Sequence, residues 1–191
     1  MVDTTSGIWR ALTEEVFNLG GSYHDLTRIL SDSNFRRNLA EIIVGVKQIK
    51  KVRVTVCYDR PLSKMVDVGN YDYVDSDIRS ENFPVKLTGV VEREVYFVHL
   101  NRAATTDEVL EEQDKMGLLP ADLPTLLSIG EQYPEEQRKY PIVALAQPWH
   151  RVYGYNMPCL GQWNTERILY LGFVLSKRKW VTNCHFATIS K

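Results

Sequence analysis

Histidine and cysteine side chains are well suited to nucleophilic or acid–base chemistry near neutral pH. The chain has four histidines and three cysteines: His24, His99, His150, His185, Cys57, Cys159 and Cys184. They form no H-x-x-x-H or C-x-x-C pair, and the sequence has no nucleophile elbow or glycine-rich phosphate loop. Cys184 and His185 are neighbours in a predicted strand, so their side chains point to opposite faces. The sequence therefore predicts no metal site and no cofactor, leaves catalytic residues unknown and leans against an enzyme.

Two groups of acidic side chains deserve separate interpretations. Glu166 is the only acidic residue among the last 45 and stands beside Trp163 and Arg167. It could act as a general acid in an aromatic cleft, but we favour an ion pair with Arg167 or a nearby lysine. The segment Asp72–Asp77 could bind Mg²⁺ or Ca²⁺, yet it lacks the spacing of an EF-hand loop. We expect a solvated loop there.

Basic and aromatic residues are concentrated at the C-terminal end of the chain. The last 45 residues hold eight of the 20 aromatic and six of the 23 basic residues. Basic groups attract phosphates and aromatic rings stack on unpaired bases. The binding candidates in this region are Trp149, Arg151, Trp163, Lys177, Arg178, Lys179 and Trp180. The alternative is an aromatic β-sheet in which 177–179 is only the tip of a hairpin.

A second basic cluster lies nearer the N-terminus, around an apolar predicted helix. Its members could form a stripe that contacts phosphates, beside helices that resemble a helix-turn-helix arrangement. These candidates are Arg36, Arg37, Lys47, Lys50 and Lys51. Residues 39–46 are so apolar, however, that we expect most of that helix to be buried.

The near-neutral net charge of −1 hides three blocks of different charge. Residues 1–58 carry 8 basic and 6 acidic groups, residues 59–146 carry 9 and 17, and residues 147–191 carry 6 and 1. Such blocks either bind a charged partner or face each other in the fold. The 44 % hydrophobic composition excludes a disordered chain, and no apolar run approaches the ~20 residues of a membrane span. With no secretory leader evident, we expect a cytoplasmic protein that does not bind membranes.

Hydrophobic periodicity predicts an α+β fold, with short N-terminal helices packed on a mainly antiparallel sheet. Helices are expected over 6–19, from Ser22, from Asp32 or Ser33 to Val46, over 61–68, over 105–116 and from Leu123. Strands are expected over 52–56, 85–100, 141–146, 167–175 and 179–189, the last two joined as a hairpin. The interpretation is one domain over 1–191, with a helical unit at 1–48 and an α+β body at 50–191.

Several segments also resemble a group of small bacterial proteins. They include Gly69–Asp72, Thr125–Gly130, Tyr140–Leu145 and the stretch from Trp180 to Phe186, and the likeness covers about residues 50–191. The resemblance implies a bacterial or phage origin and carries no activity, cofactor or site.

These observations lead to three hypotheses about function. The first is a non-catalytic interaction domain that binds a protein partner or a second copy of itself. The second is a nucleic-acid-binding protein that uses the basic and aromatic candidates. The third is a hydrolase, which needs a deep pocket lined by at least two of His99, His150, His185, Glu166 and the loop aspartates.

Overall fold

The computed structural model describes residues 4–33, 35, 36, 39, 48–151, 154–174 and 178–191. The chain divides into two compact units, Met1–Val46 and Lys47–Lys191.

The first unit contains two of the predicted helices, α1 (Thr4–Asn18) and α2 (Tyr23–Ser31). Gly20 between them adopts a φ of 81°, a conformation that glycine reaches without a Cβ penalty. Ser22 begins α2 with a capping box, in which the Asp25 carboxylate accepts from the Ser22 backbone N–H at 2.8 Å. Most of the predicted third helix, up to Val46, lies outside the described residues.

The second unit is built on a nine-stranded sheet, so the predicted α+β class is confirmed. Its strands are β1 (Gln48–Cys57), β2 (Tyr73–Val74), β3 (Val90–His99), β4 (Leu118–Pro120), β5 (Ile142–Ala144), β6 (Trp149–Arg151), β7 (Gly154–Trp163), β8 (Glu166–Val174) and β9 (His185–Ser190). The main order is β1-β3-β9-β5-β7-β8-β2, with β4 beside β9 and β6 beside β7. Only the β5–β9 and β2–β8 pairs of this described sheet are parallel.

Three helices of this unit begin where the sequence supplies a cap or a proline. They are α3 (Leu62–Val68), α4 (Thr106–Lys115) and α5 (Leu123–Gln132). The Thr105 hydroxyl accepts from the Glu108 N–H at 3.2 Å, and Asp122 accepts from Thr125 N–H at 3.0 Å. Within the described residues, no helix combines the length and apolar character that crossing a bilayer requires.

The two faces of the sheet bury separate cores. On the first face, alternate valines of β1 pack with Phe97 and Leu160 against the apolar side of α3 and α5. On the second face, Val98 and Phe186 pack against α4 and the segment that precedes β9. The part of the second face formed by β2, β8 and the end of β7 carries exposed aromatic side chains instead.

Three features of the sheet differ from the prediction. The predicted hairpin between the last two strands is wrong, because β8 is flanked by β7 and β2 while β9 lies between β3 and β5. Strand β7 was not predicted, since Pro158 and two glycines interrupt its β-forming pattern. Tyr73–Val74, expected in a loop, pairs with β8 as a short parallel strand.

Candidate functional site

A groove of about 640 Å³ lies on the exposed part of the second face. Its lining comes from β2, β7, β8 and the start of β5: Tyr73, Pro141, Gly161, Gln162, Trp163, Glu166, Ile168 and Tyr170. Three of these side chains are aromatic and one is charged. The groove is therefore an apolar concave surface with few polar groups, as ligand sites commonly are.

Strand geometry explains why these residues meet. Glu166, Ile168 and Tyr170 alternate along β8, so their side chains share one face. Trp163 is the cross-strand partner of Glu166, and Tyr73 is the partner of Ile168. Gly161 leaves room for the Tyr170 ring, since a Cβ there would lie 3.0 Å from Tyr170 Cε1. The short strand β2 thus brings a tyrosine from 90 residues away to the wall of the groove.

The aromatic side chains of the groove differ in exposure. Trp163 is 68 % exposed and Tyr73 is 53 % exposed, while Tyr170 is only partly accessible. Burial raises the pKa of the Tyr170 hydroxyl above its ordinary value, so this side chain is a neutral phenol at pH 7. Two large, exposed rings beside a partly buried one form a surface that a ligand could cover.

Among the residues that the structure describes, Glu166 is the only charged side chain that lines the groove. The described residues offer its carboxylate no ion pair, and the predicted pair with Arg167 is wrong. The two residues are adjacent on β8 and point to opposite faces. The Arg167 guanidinium is buried on the first face and donates to the carbonyls of Gly69 at 2.8 Å and Gly130 at 2.6 Å.

The buried network around Arg167 supports the floor of the groove from below. Arg167 Nη2 also donates to Gln137 Oε1 at 3.0 Å. Gln137 Nε2 in turn donates to the carbonyls of Gly161 at 2.7 Å and Ile168 at 3.2 Å, both of which belong to groove-lining residues. Neither Arg167 nor Gln137 was recognised in the sequence as part of a site.

A smaller groove of about 320 Å³ adjoins the first and shares Pro141 and Tyr170 with it. Arg178, Lys179 and Trp180, three of the predicted binding residues, line it. Trp180 has a structural contact as well, since its Nε1–H donates to Thr106 Oγ1 at 3.1 Å and its ring meets Phe186 edge-on at 5.9 Å. Arg178 and Lys179 are exposed.

The N-terminal basic candidates that the structure describes each have partners within their own unit. Lys50 and Lys51 are consecutive residues of β1 and lie on opposite faces. Lys50 pairs with Glu136 at 2.5 Å, and Lys51 pairs with Glu94 at 2.7 Å. Both partners belong to the acidic middle of the chain. Arg36 donates to backbone carbonyls of its own unit, at 3.1 and 3.2 Å.

The remaining candidates are placed as follows. Trp149 is partly buried against the first-face core, away from the lining of either groove. Arg151 ends β6, and its side chain is outside what the structure describes. Arg37, Lys47 and Lys177 also lie outside the described residues. Trp163 is therefore the candidate that the structure places in the larger groove.

Two histidines come together elsewhere, at the edge of the first face. The His185 ring stacks on Tyr140 with centroids 3.6 Å apart and on His99 at 4.4 Å. Burial lowers the pKa of His185 to about 4. Burial alone would raise the pKa of Glu136, but hydrogen bonds from Lys139, Lys50 and Tyr140 prevail and lower it to about 2. Neither histidine lines the aromatic groove.

The cysteines and acidic side chains offer little further chemistry. Burial raises the pKa of Cys159 to about 12 and that of Cys184 to about 11, so both thiols are protonated and poorly nucleophilic at pH 7. Across the part of the chain that is described, no group of three or more His, Cys, Asp or Glu side chains is arranged to hold a metal ion.

Sequence reasoning missed most of the groove because its parts come from four strands. The signal that was present is the alternation of Glu166, Ile168 and Tyr170 beside Trp163. The contribution of Tyr73 depends on long-range parallel pairing, which leaves no local pattern.

Comparison of the chain with protein-family models, with curated proteins and with solved structures found no match. The resemblance to small bacterial proteins stays a prediction.

Proposed function

We propose that this protein is a non-catalytic binding domain that captures a short segment of a partner protein in the aromatic groove. The observation that carries the proposal is that exposed Trp163 and Tyr73 both line one concave site of about 640 Å³. Exposed aromatic side chains at the centre of a pocket are typical of residues that dominate binding energy. Covering them removes apolar surface from water, which favours association.

The composition of the groove favours binding over catalysis. Acid–base catalysis of hydrolysis commonly uses a pair of groups, such as two carboxylates about 5–10 Å apart. Within the described part of the chain, the lining supplies one carboxylate, Glu166, and no histidine or cysteine. The described lining of the groove thus contains one of the hydrolase candidates, Glu166, whereas the hydrolase hypothesis needs at least two in one pocket.

The cysteines support a cytoplasmic location. Cys57, Cys159 and Cys184 are all free, which suits a reducing compartment. We therefore propose that the partner is a protein of the same compartment.

The test is an immobilised array of random-sequence dodecapeptides, probed with the labelled full chain. The Trp163→Ala variant is probed beside the wild type, and Tyr155→Ala is the matched control. Tyr155 lies on the same strand and face and is 40 % exposed, but it lies outside the lining of the aromatic groove. We expect the wild type and Tyr155→Ala to bind the same peptides, and Trp163→Ala to lose them. Binding that survives Trp163→Ala, or a wild type that binds no peptide, would overturn the proposal.

A second candidate is binding of single-stranded nucleic acid, favoured by the position of Arg178 and Lys179 next to the aromatic groove. Phosphates would contact the two basic groups while a base stacks on Trp163. The test is a salt titration of labelled single-stranded and duplex oligonucleotides, with Arg178→Gln/Lys179→Gln as the variant. Binding that weakens steeply with salt and is lost in the variant supports this candidate, and no binding at low salt rejects it.

A further inference from the structure

We propose that the aromatic groove selects a cationic side chain of its partner, an alkylated ammonium group such as that of methylated lysine. This inference rests on the proposed function and names the ligand chemistry of the same site. The groove combines aromatic rings with a carboxylate. Ring faces and a negative charge both attract an organic cation, and they can do so after the cation has lost part of its water.

The aromatic rings supply the first part of the argument. The π face of tryptophan or tyrosine carries negative charge and attracts a cation within about 6 Å of the ring centre. Trp163, Tyr73 and Tyr170 all line the groove, and tryptophan gives the strongest such interaction. The neutral phenol of Tyr170 adds its ring face without adding charge.

The charge of the surroundings supplies the second part. Among the described lining residues Glu166 is charged and none is basic, so this part of the lining carries a net charge of −1. Asp72 and Asp75 flank the two residues of β2, so further negative charge borders Tyr73. Next to Glu166, the Arg138 guanidinium donates to the Thr165 carbonyl and is paired with Glu135 at 3.2 Å. The exposed cations Arg178 and Lys179 line the adjoining groove and are not in the lining of the aromatic groove. Beside Glu166 itself, the carboxylate therefore disfavours a phosphate or carboxylate ligand and favours a cation.

Hydration decides between a bare ammonium and an alkylated one. A lysine ammonium is compact and strongly hydrated, so placing it against aromatic rings costs solvation energy. Methyl groups spread the charge, weaken hydration and add apolar surface that the rings can cover. The partly open, mostly apolar groove therefore fits the alkylated cation better.

The experiment compares two small probes that differ only in charge. They are N-acetyl-trimethyllysine methylamide and its neutral isostere, in which a tert-butyl carbon replaces the nitrogen. Binding to the full chain is measured by ¹H–¹⁵N NMR titration. Because the ring faces and the carboxylate attract only the charged probe, we expect the cation to bind about tenfold more tightly than the isostere. Glu166→Gln should weaken binding of the cation about threefold and leave binding of the isostere unchanged. Tyr155→Ala should leave the affinity for both probes unchanged.

The outcomes distinguish a failure of cation selection from a failure of the proposed binding function. Equal affinity for the two probes, or no loss in Glu166→Gln, would overturn cation selection. If the peptide array then still shows binding that depends on Trp163, the binding function stands with another ligand chemistry. If the array also fails, both proposals fall.

Discussion

Replacing Arg167 with methionine should destabilise the protein strongly and loosen the floor of the aromatic groove. Arg167 is 7 % exposed and donates four hydrogen bonds to three backbone carbonyls and the Gln137 side chain. Three of these acceptors belong to Gly69, Asn70 and Gly130, in the segment after α3 and in α5. One side chain therefore ties β8 to two other elements on the first face.

The magnitude follows from the bonds lost. Methionine has similar length, so little cavity forms, but the acceptors near Gly69 and Gly130 lose their donor. Each buried acceptor left unpaired costs about 1–3 kcal/mol, while removing a buried cation returns part of its desolvation penalty. We expect the free energy of unfolding to fall by about 3–5 kcal/mol for Arg167→Met. Arg167→Lys should lose less, about 2 kcal/mol, because lysine keeps the charge and up to three donors.

Urea unfolding followed by circular dichroism measures this change. The matched control is Arg53→Met on β1, because the Arg53 side chain is 68 % exposed and its guanidinium lies 3.7 Å from the Glu94 carboxylate. An exposed pair of this kind contributes about 0–1 kcal/mol, so the control should unfold near the wild-type midpoint. The reasoning would be refuted by an Arg167→Met variant that stays within 1 kcal/mol of the wild type.

Three further substitutions test other parts of the structure. Because burial lowers the pKa of His185 to about 4, the unfolded chain takes up a proton first as pH falls. The free energy of unfolding should therefore drop as the pH falls from about 6.5 to about 4. His185→Phe should make the urea midpoint less dependent on pH in this range, and an unchanged pH dependence contradicts the assignment. Gln132 bonds both the N–H and the C=O of Thr55 on the edge strand β1. Gln132→Ala should expose this edge and promote concentration-dependent association in sedimentation velocity, whereas a strictly monomeric variant would argue against this role. Gln113 is fully buried, and neither amide atom has a hydrogen-bond partner among the described residues. Gln113→Met should raise the free energy of unfolding by about 1–2 kcal/mol, and a loss of stability would count against this account.

Local patterns predicted the helices and most long strands of the second unit. The capping box at Thr105, the Gly117 stop and the alternation of Val52, Val54 and Val56 each act over a few residues. Such signals depend only on residues that are close in sequence, so they can be interpreted without knowing the rest of the fold.

Long-range pairing could not be predicted in the same way. Strand β7 escaped notice because Pro158 and two glycines interrupt its pattern, and the β8–β9 hairpin was inferred only from closeness in sequence. The groove could not be predicted for the same reason, because Tyr73 reaches its wall only through the pairing of the two-residue strand β2 with β8. Trp163 was recognised as a binding candidate. Glu166 was assigned to an ion pair with Arg167 or a nearby lysine, and the pair with Arg167 fails because neighbouring residues of a strand point to opposite faces.

The most direct test of the aromatic groove as the binding site uses ¹⁹F NMR of the chain labelled with 5-fluorotryptophan. Four tryptophans give four resonances, which Trp→Phe variants assign. The probe is a pentapeptide with trimethyllysine at its centre, added to millimolar concentration. The account predicts that the Trp163 resonance shifts and saturates, while those of Trp149 and Trp180 stay in place. A Trp163 resonance that does not move, or a shift confined to another tryptophan, would contradict it.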